Sequence, residues 1–149
     1  MLLNHKKIIL NEIVMKIDED YSSQYKSVGG AKRVTAAFGY SIKGLRTAWR
    51  NEHAFRQEMV VVCPGIVIAL CAPVSTIEKV ALTTVLLLVL IVELLNSAVE
   101  AVVDRVSLDY HVLSGRAKDL GSAAVFTTIL LAVLTWAILF VPVVLSQLL

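Results

Sequence analysis

The amino-acid sequence predicts an all-α membrane protein in which one amphipathic surface helix precedes three transmembrane helices. The first observation is composition: 57% of the 149 residues are hydrophobic and 17% are charged, whereas soluble domains have about 45–50% apolar and about 25% charged residues. The second is charge distribution, because three long stretches after Met59 carry few charges or none. This composition excludes a disordered tail, a disulfide scaffold and a nucleic-acid-binding module, and the length allows one domain.

The N-terminal segment, residues 1–30, is expected to be a flexible extension. Short apolar patches alternate there with charges, and the segment ends in Gly29-Gly30, a pair typical of a flexible joint. It lacks the basic stretch, apolar run and cleavage site of a secretory signal. Residues 31–149 then form the membrane domain.

Residues 31–58 are predicted to form the surface helix. Apolar side chains recur there at intervals of three or four residues, which is a helical stripe; they are Val34, Phe38, Ile42, Leu45 and Trp49. Basic side chains occupy the remaining faces, so the helix is expected to lie along an anionic membrane surface. The alternative is a soluble amphipathic helix that packs on its own domain.

Three apolar segments are predicted to span the membrane, at residues 59–77, 80–103 and 120–141. Each is long enough to cross a hydrocarbon core of about 30 Å as a helix. Pro73 is expected to end the first helix early, before a short polar turn at Glu78-Lys79.

The distribution of basic residues predicts the orientation of these spans. The basic surface helix and the connector at 104–119, with Arg105, Arg116 and Lys118, fall on one side, against Lys79 on the other. Since cytoplasmic loops carry the excess of Lys and Arg, the N-terminus and the connector are expected to be cytosolic.

The second span contains the chemically informative residues. Glu93, Asn96 and Glu100 are spaced i, i+3 and i+7, which places them on one helix face, with Asp104 one turn further. A carboxylate within a span costs at least about 2.5–3.5 kcal/mol on insertion scales. The presence of these acids therefore indicates a functional or structural role. They could present a lipid headgroup to a water-soluble reagent, form a proton or ion pathway, or pair with basic residues of neighbouring helices to fix an oligomer.

Complementary charges lie near the same interface. Arg116 and Lys118 fall at the start of the third helix, where free backbone N–H groups and a lysine attract phosphate, although anchoring on the cytosolic side would also explain them. Glu52 and Glu58 end the surface helix. Acid pairs from different helices could hold Mg²⁺ between polyphosphate oxygens.

Other patterns are interpreted as structural. Cys63 and Cys71 are eight residues apart in an apolar run, which is beyond disulfide reach on one helix. Gly39 and Gly44 have the spacing of a P-loop but lack its Lys-Ser/Thr. Small residues at intervals of four and three predict close helix packing; they are Ala117, Gly121 and Ala124.

Three sequence blocks resemble the bacterial integral-membrane diacylglycerol kinase family. They are GYSIKGLRTAWRNEHAFRQE at 39–58, ELLNSAVEAVVDR at 93–105 and SGRAKDLGSAAV at 114–125. The resemblance implies a homotrimeric helical bundle in the bacterial inner membrane, with active sites shared at subunit boundaries. It implies transfer of the γ-phosphoryl group of ATP to diacylglycerol, with Mg²⁺, to give phosphatidic acid for phospholipid recycling.

The resemblance also implies roles for individual residues. Glu93 matches the catalytic base, Glu52 and Glu100 match the metal-holding acids, and Asn96 matches a supporting position. The nucleotide contacts fall on Arg33, Tyr40, Glu52, Glu100, Asp109, Tyr110, His111, Lys118 and Asp119. The lipid contacts fall on Arg33, Ser41, Arg46, Trp49, Glu58, Glu93, Ser122 and Trp136.

Alternatives remain open at this point. A related branch of the family phosphorylates a polyprenol, undecaprenol, although SGRAKD looks more like the diacylglycerol branch. A proton or ion carrier and a membrane assembly factor without catalysis would also place acids in a span. The residues 1–27 extend beyond the usual short N-terminus of the family, and no motif assigns them a role.

Overall fold

Four α-helices make up the described part of the chain. The structure is a computed structural model and describes residues 30–107, 109 and 111–148. The helices are α1 (Gly30–Asn51), α2 (His53–Cys71), α3 (Thr76–Val106) and α4 (Val112–Leu148), and no strand occurs among these residues. The prediction of an all-α fold is confirmed, whereas the predicted extension before Gly30 lies outside the described residues.

The described chain divides into two units between Gly44 and Leu45. Helix α1 begins in the first unit and ends in the second. Its predicted apolar stripe is helical, and its side chains are exposed: Val34 and Phe38 expose 70% and 68% of their surface. An exposed apolar stripe with basic residues on the other faces is typical of a helix lying at a membrane interface.

The surface helix ends earlier than its sequence periodicity suggests. Glu52 separates α1 from α2 and has an extended backbone, with φ −100° and ψ 116°. Arg56, in the first turn of α2, donates from Nη1 to the carbonyl oxygens of Trp49 and Arg50 at 2.9 and 3.2 Å. These carbonyls belong to the last turn of α1, where helices leave acceptors unpaired, so the guanidinium stabilises the break.

Helices α2 and α3 are joined by a tight, well-capped turn. Helix α2 ends at Cys71, two residues before Pro73, as the proline predicted. Helix α3 begins at Thr76, four residues before the predicted start, because Ser75 and Glu78 form a reciprocal capping box. Lys79 donates from Nζ to the carbonyl oxygen of Leu70 at 2.8 Å and so ties the start of α3 to the end of α2.

Three helices are long and apolar enough to cross a membrane: His53–Cys71, Thr76–Val106 and Val112–Leu145. Helix α3 has 31 residues, a rise of about 46 Å, so it is longer than a hydrocarbon core of about 30 Å. Many of the large apolar side chains of these helices are exposed, which a lipid environment accommodates without cost.

Helix α3 packs against both α2 and α4. Leu82 is fully buried, and its carbonyl oxygen accepts a hydrogen bond from Nε1 of Trp136 at 3.3 Å. Gly65 allows close approach of α2, because a Cβ there would lie 2.8 Å from Cδ1 of Leu86. Gly121 does the same on α4: a Cβ there would collide with Oδ1 of Asn96. The predicted close packing at Gly121 is therefore present, and it brings α4 against the acidic face of α3.

Candidate active site

A buried carboxylate lies at the centre of the candidate site. Glu93 is in α3 and exposes only 4% of its surface. The carboxylates of Glu100 and Glu52 lie near enough to interact with it electrostatically, and Glu93 acts in the same way on Glu58. Four acids from the start of α2, the α1–α2 junction and α3 therefore form one group within residues 45–149.

Asn96 connects this acidic group to α4. Its Nδ2 donates to Oε1 of Glu100 at 2.9 Å, one turn further along α3, as expected for an i, i+4 pair. Its Oδ1 is buried, faces Gly121 and has no hydrogen-bond partner within the described chain. The side-chain amide therefore orients the Glu100 carboxylate while its own oxygen remains available as an acceptor.

The positive charge of the site comes from Lys118 on α4. Its Nζ forms an ion pair with Oδ1 of Asp104 at 2.6 Å, and the ammonium also interacts electrostatically with Glu100. The pair links the last turns of α3 to the first turns of α4 across the connector. A lysine beside a group of acids is the charge arrangement that a phosphate ester coordinated by a cation requires.

The donor atoms of the site fit a hard cation that is shared with a ligand. Among the described residues, no group of three or more His, Cys, Asp or Glu side chains is placed to hold a metal ion. Oxygen is nevertheless the only donor type in the acidic group, and Oε2 of Glu58 is buried without a hydrogen-bond partner in the described chain. Mg²⁺ typically takes one or two carboxylates and completes its shell with water and substrate phosphates, so the acids are compatible with it.

An apolar cleft of about 660 Å³ opens next to the acids. Helices α2 and α4 form its walls, and Leu86 and Val89 of α3 form its floor. Glu58 and Gln57 supply its polar lining. Trp136 also lines the cleft and stacks obliquely on Phe140, with ring centroids 5.3 Å apart. Such a volume with few polar groups suits a predominantly apolar ligand.

The predicted site residues fall into three sets. The structure brings together Glu52, Glu58, Glu93, Asn96, Glu100 and Lys118. Three predicted residues lie on α1 in the other unit; they are Arg33, Tyr40 and Ser41. The rest are on α1 after Gly44, in the connector or on α4; they are Arg46, Trp49, Asp109, His111, Asp119, Ser122 and Trp136. Tyr110 lies outside the described residues.

Three residues contribute in ways that the sequence does not indicate. Asp104 lies on the acidic face of α3, but the sequence gives it no role because its partner Lys118 lies fourteen positions later. Arg56 and Gly65 act at the α1–α2 break and at the contact of α2 with α3. The sequence does not indicate the role of Arg56, because its hydrogen-bond acceptors are backbone carbonyls, which every residue carries. For Gly65, a small residue within an apolar span is the sequence feature that indicates close helix packing.

Comparisons with known proteins identify the relatives of this chain. Residues 39–140 match the family model described as prokaryotic diacylglycerol kinase. The chain is 58% identical over 110 residues to a protein named diacylglycerol kinase in Escherichia coli, covering 74% of this chain and 90% of that protein. It is 49% identical over 115 residues to the protein of that name in Pseudomonas aeruginosa, covering 77% and 94%. It is 43% identical over 112 residues to the protein of that name in Haemophilus influenzae, covering 75% of this chain and 94% of that protein.

Proposed function

This chain belongs to the prokaryotic diacylglycerol kinase family, and from this premise we propose how its residues phosphorylate a membrane lipid. It is a multi-pass membrane protein with three helices long enough to span, and it is a kinase that phosphorylates diacylglycerol. ATP is the phosphoryl donor that this family implies. The product is phosphatidic acid.

The observation that carries the proposal is the buried Glu93 among further acids, one of which, Glu100, also interacts with Lys118. Phosphoryl transfer needs positioning and charge neutralisation more than covalent chemistry by the protein. A carboxylate next to the apolar cleft can meet a lipid hydroxyl, while the acids and Lys118 nearer the end of α3 can meet the phosphates. The proton or ion carrier and the assembly factor do not explain why a cleft and a lysine adjoin the acids.

Glu93 is proposed as the general base. Its carboxylate accepts the proton of the diacylglycerol hydroxyl as that oxygen bonds to the γ-phosphorus, and the bond from the γ-phosphorus to the β,γ-bridging oxygen breaks to release ADP. A candidate base must lie within reach of the proton that it takes. Measured from Thr76, where α3 begins, Glu93 lies about 26 Å along the helix, at the depth of a glycerol hydroxyl just below the interface.

Glu52 and Glu100 are proposed to hold Mg²⁺. Bound there, Mg²⁺ would neutralise charge on the phosphate oxygens and fix their orientation. The two carboxylates come from the α1–α2 junction and from α3, and both interact with Glu93. Asn96 fixes the carboxylate of Glu100 through its hydrogen bond at 2.9 Å and serves as a supporting residue.

Lys118 is proposed to bind the phosphates of ATP. An ammonium with three donors can hold Asp104 and still contact phosphate oxygens. The remaining nucleotide contacts are proposals taken from the family resemblance; they are Arg33, Tyr40, Asp109, Tyr110, His111 and Asp119.

The apolar cleft is proposed to hold the acyl chains of diacylglycerol, with Glu58 at the headgroup and Trp136 along the chains. The cleft volume of about 660 Å³ and the apolar lining support this placement. The other lipid contacts are carried over from the family; they are Arg33, Ser41, Arg46, Trp49 and Ser122.

The cellular setting is also a proposal. The charge bias of Arg105, Arg116 and Lys118 against Lys79 supports a cytosolic N-terminus, and the inner membrane is carried over from the family resemblance. Self-association is carried over from the family resemblance. We propose a homotrimer with shared active sites that recycles diacylglycerol into phospholipid.

The direct test is transfer of labelled γ-phosphate from Mg·ATP to diacylglycerol in mixed detergent–lipid micelles, with undecaprenol assayed in parallel. We expect label in phosphatidic acid and none in the polyprenol product. Labelled polyprenol alone would assign the chain to the sister activity. The absence of label in both lipids, with a folded oligomer, would refute the kinase mechanism.

Glu93→Gln is the matched variant in that assay, because the amide has the shape of the carboxylate but cannot accept the proton. We expect turnover to fall by at least about 10²-fold, the lower range of a general base, with oligomer size unchanged by native mass spectrometry. An active and correctly assembled Glu93→Gln protein would refute the assignment of the base.

A further inference from the structure

We propose that Asp104 is a positioning residue for ATP, because it holds the Lys118 ammonium where the phosphates bind. The inference rests on the proposed role of Lys118. It begins from the ion pair of 2.6 Å between Lys118 Nζ and Asp104 Oδ1, whose side chains are 39% and 48% exposed. The pair is therefore open to a water-soluble ligand.

The ion pair lies close enough to the acidic group to affect ligand binding there. An isolated exposed ion pair contributes little to folding stability. A stabilising role therefore does not explain the pair of Lys118 and Asp104. Asp104 follows Glu100 by one turn on the same face of α3, and Lys118 interacts electrostatically with both acids. The ammonium is thus directed from α4 toward the residue proposed to share the cation with ATP.

The chemistry of lysine explains why a positioning partner is useful. Its ammonium sits on a flexible four-carbon stem, and ordering such a side chain on binding lowers affinity. Asp104 restricts the side chain before ATP arrives, and it occupies one of the three donors. The remaining donors can then bind phosphate oxygens while the ion pair persists.

Two opposite effects of removing the Asp104 charge can be distinguished. If Asp104 only competed with phosphate for Lys118, or only repelled ATP, its neutralisation would strengthen ATP binding. If Asp104 positions the ammonium, neutralisation weakens ATP binding even though one negative charge has been removed. The sign of the change therefore decides between the two roles.

The experiment uses purified full-length oligomer in detergent–lipid micelles. Asp104→Asn and Asp104→Glu are compared with the unaltered chain by the KM values for ATP and for diacylglycerol. Equilibrium dialysis with a non-hydrolysable ATP analogue gives a binding constant that does not depend on turnover. For Asp104→Asn we expect the KM and the Kd of the nucleotide to rise about tenfold, as for a lost charge-assisted hydrogen bond, with the KM for diacylglycerol unchanged. Asp104→Glu should restore most of the loss.

Glu78→Gln is the matched control. Glu78 is an acid at the opposite end of the same helix, and glutamine preserves its capping box. It should leave the KM for ATP unchanged. An unchanged or lower nucleotide Kd in Asp104→Asn would overturn the proposal.

A second variant separates this inference from the proposed function. Lys118→Met should itself raise the KM for ATP; if it does not, the proposed role of Lys118 fails and the inference with it. If it does, adding Asp104→Asn to Lys118→Met should cause no further loss. A further loss in the double variant would show that Asp104 acts without Lys118 and would overturn the positioning role alone.

Discussion

At the scale of single residues, the site depends on polar groups placed where an apolar side chain would be the default. Glu93 exposes only 4% of its surface, although carboxylates are almost never fully buried unless paired. Its neighbours among the described acids, Glu52, Glu58 and Glu100, carry the same charge. Like charges around a buried carboxylate oppose folding, and a sequence that keeps such a cost commonly does so at a functional site.

Glu100→Gln tests the metal-holding role. The substitution keeps an acceptor for Nδ2 of Asn96 but removes the negative charge that attracts the cation, so we expect a lower rate and a higher Mg²⁺ concentration for half-maximal activity. Titration of the phosphatidic acid yield against Mg²⁺ at saturating lipid measures both. An unchanged Mg²⁺ dependence in a slower enzyme would contradict the role of Glu100 as a ligand.

Gly121→Ala tests the close approach of α3 and α4. The added Cβ would collide with Oδ1 of Asn96, so we expect a loss of about 1–3 kcal/mol in stability from overpacking and a larger loss of activity as Asn96 is displaced from Glu100. Thermal unfolding in micelles and the lipid kinase assay measure the two effects.

Gly44→Ala is the control for that substitution. A Cβ at Gly44 meets nothing within 4 Å, and alanine is favoured over glycine within a helix by up to about 1 kcal/mol. The thermal midpoint should therefore stay the same or rise. A Gly121→Ala protein with the same stability and activity as the Gly44→Ala protein would show that the helices can separate without cost.

At the scale of secondary-structure elements, the junction of α1 and α2 determines where Glu52 lies. The break is a single extended residue, and Arg56 from α2 reaches back to two carbonyl oxygens in the last turn of α1. A basic side chain that bonds the last carbonyls also complements the negative end of the helix dipole. The guanidinium thus holds the end of one helix from the start of the next.

Arg56→Ala should fray the end of α1. We expect a loss of about 1 kcal/mol, the usual net contribution of a hydrogen bond, and faster hydrogen exchange at the Glu52 amide, which bonds the carbonyl oxygen of Ala48 at 2.9 Å. Hydrogen exchange followed by mass spectrometry measures the effect. Arg50→Ala removes the same charge from the adjacent turn and should leave the exchange at Glu52 unchanged. Equal effects of both variants would contradict the stabilisation of the end of α1 by Arg56.

At the scale of the whole molecule, three spanning helices place the acidic group near one end of α3 and the Ser75 capping box at the other. Helix α3 rises about 46 Å, so its two ends emerge on opposite sides of a hydrocarbon core of about 30 Å. The single-chain packing already buries Glu93. Shielding of this acid from lipid therefore does not require a second subunit, although the proposed sharing of sites does.

The predicted orientation can be tested by thiol labelling in intact bacterial cells. Cysteine is introduced as Thr76→Cys or as Ser107→Cys in a chain with Cys63→Ala and Cys71→Ala. A thiol reagent that crosses the outer but not the inner membrane should label residue 76 directly and residue 107 only after the inner membrane is permeabilised, because Lys and Arg favour the cytosolic side. The reverse pattern would invert the proposed topology.

The sequence by itself determined the all-α class, the three spans and the shared face of Glu93, Asn96 and Glu100, because hydropathy and helical periodicity depend only on local order. The resemblance of its blocks also predicted the family, which the comparisons confirm. Only the tertiary structure decided the break at Glu52, the pairing of Lys118 with Asp104, the contact of Asn96 with Gly121 and the cleft between α2 and α4. These features depend on side chains that reach backbone atoms or other helices. The periodic pattern of one segment does not indicate which residue of another helix a side chain will contact.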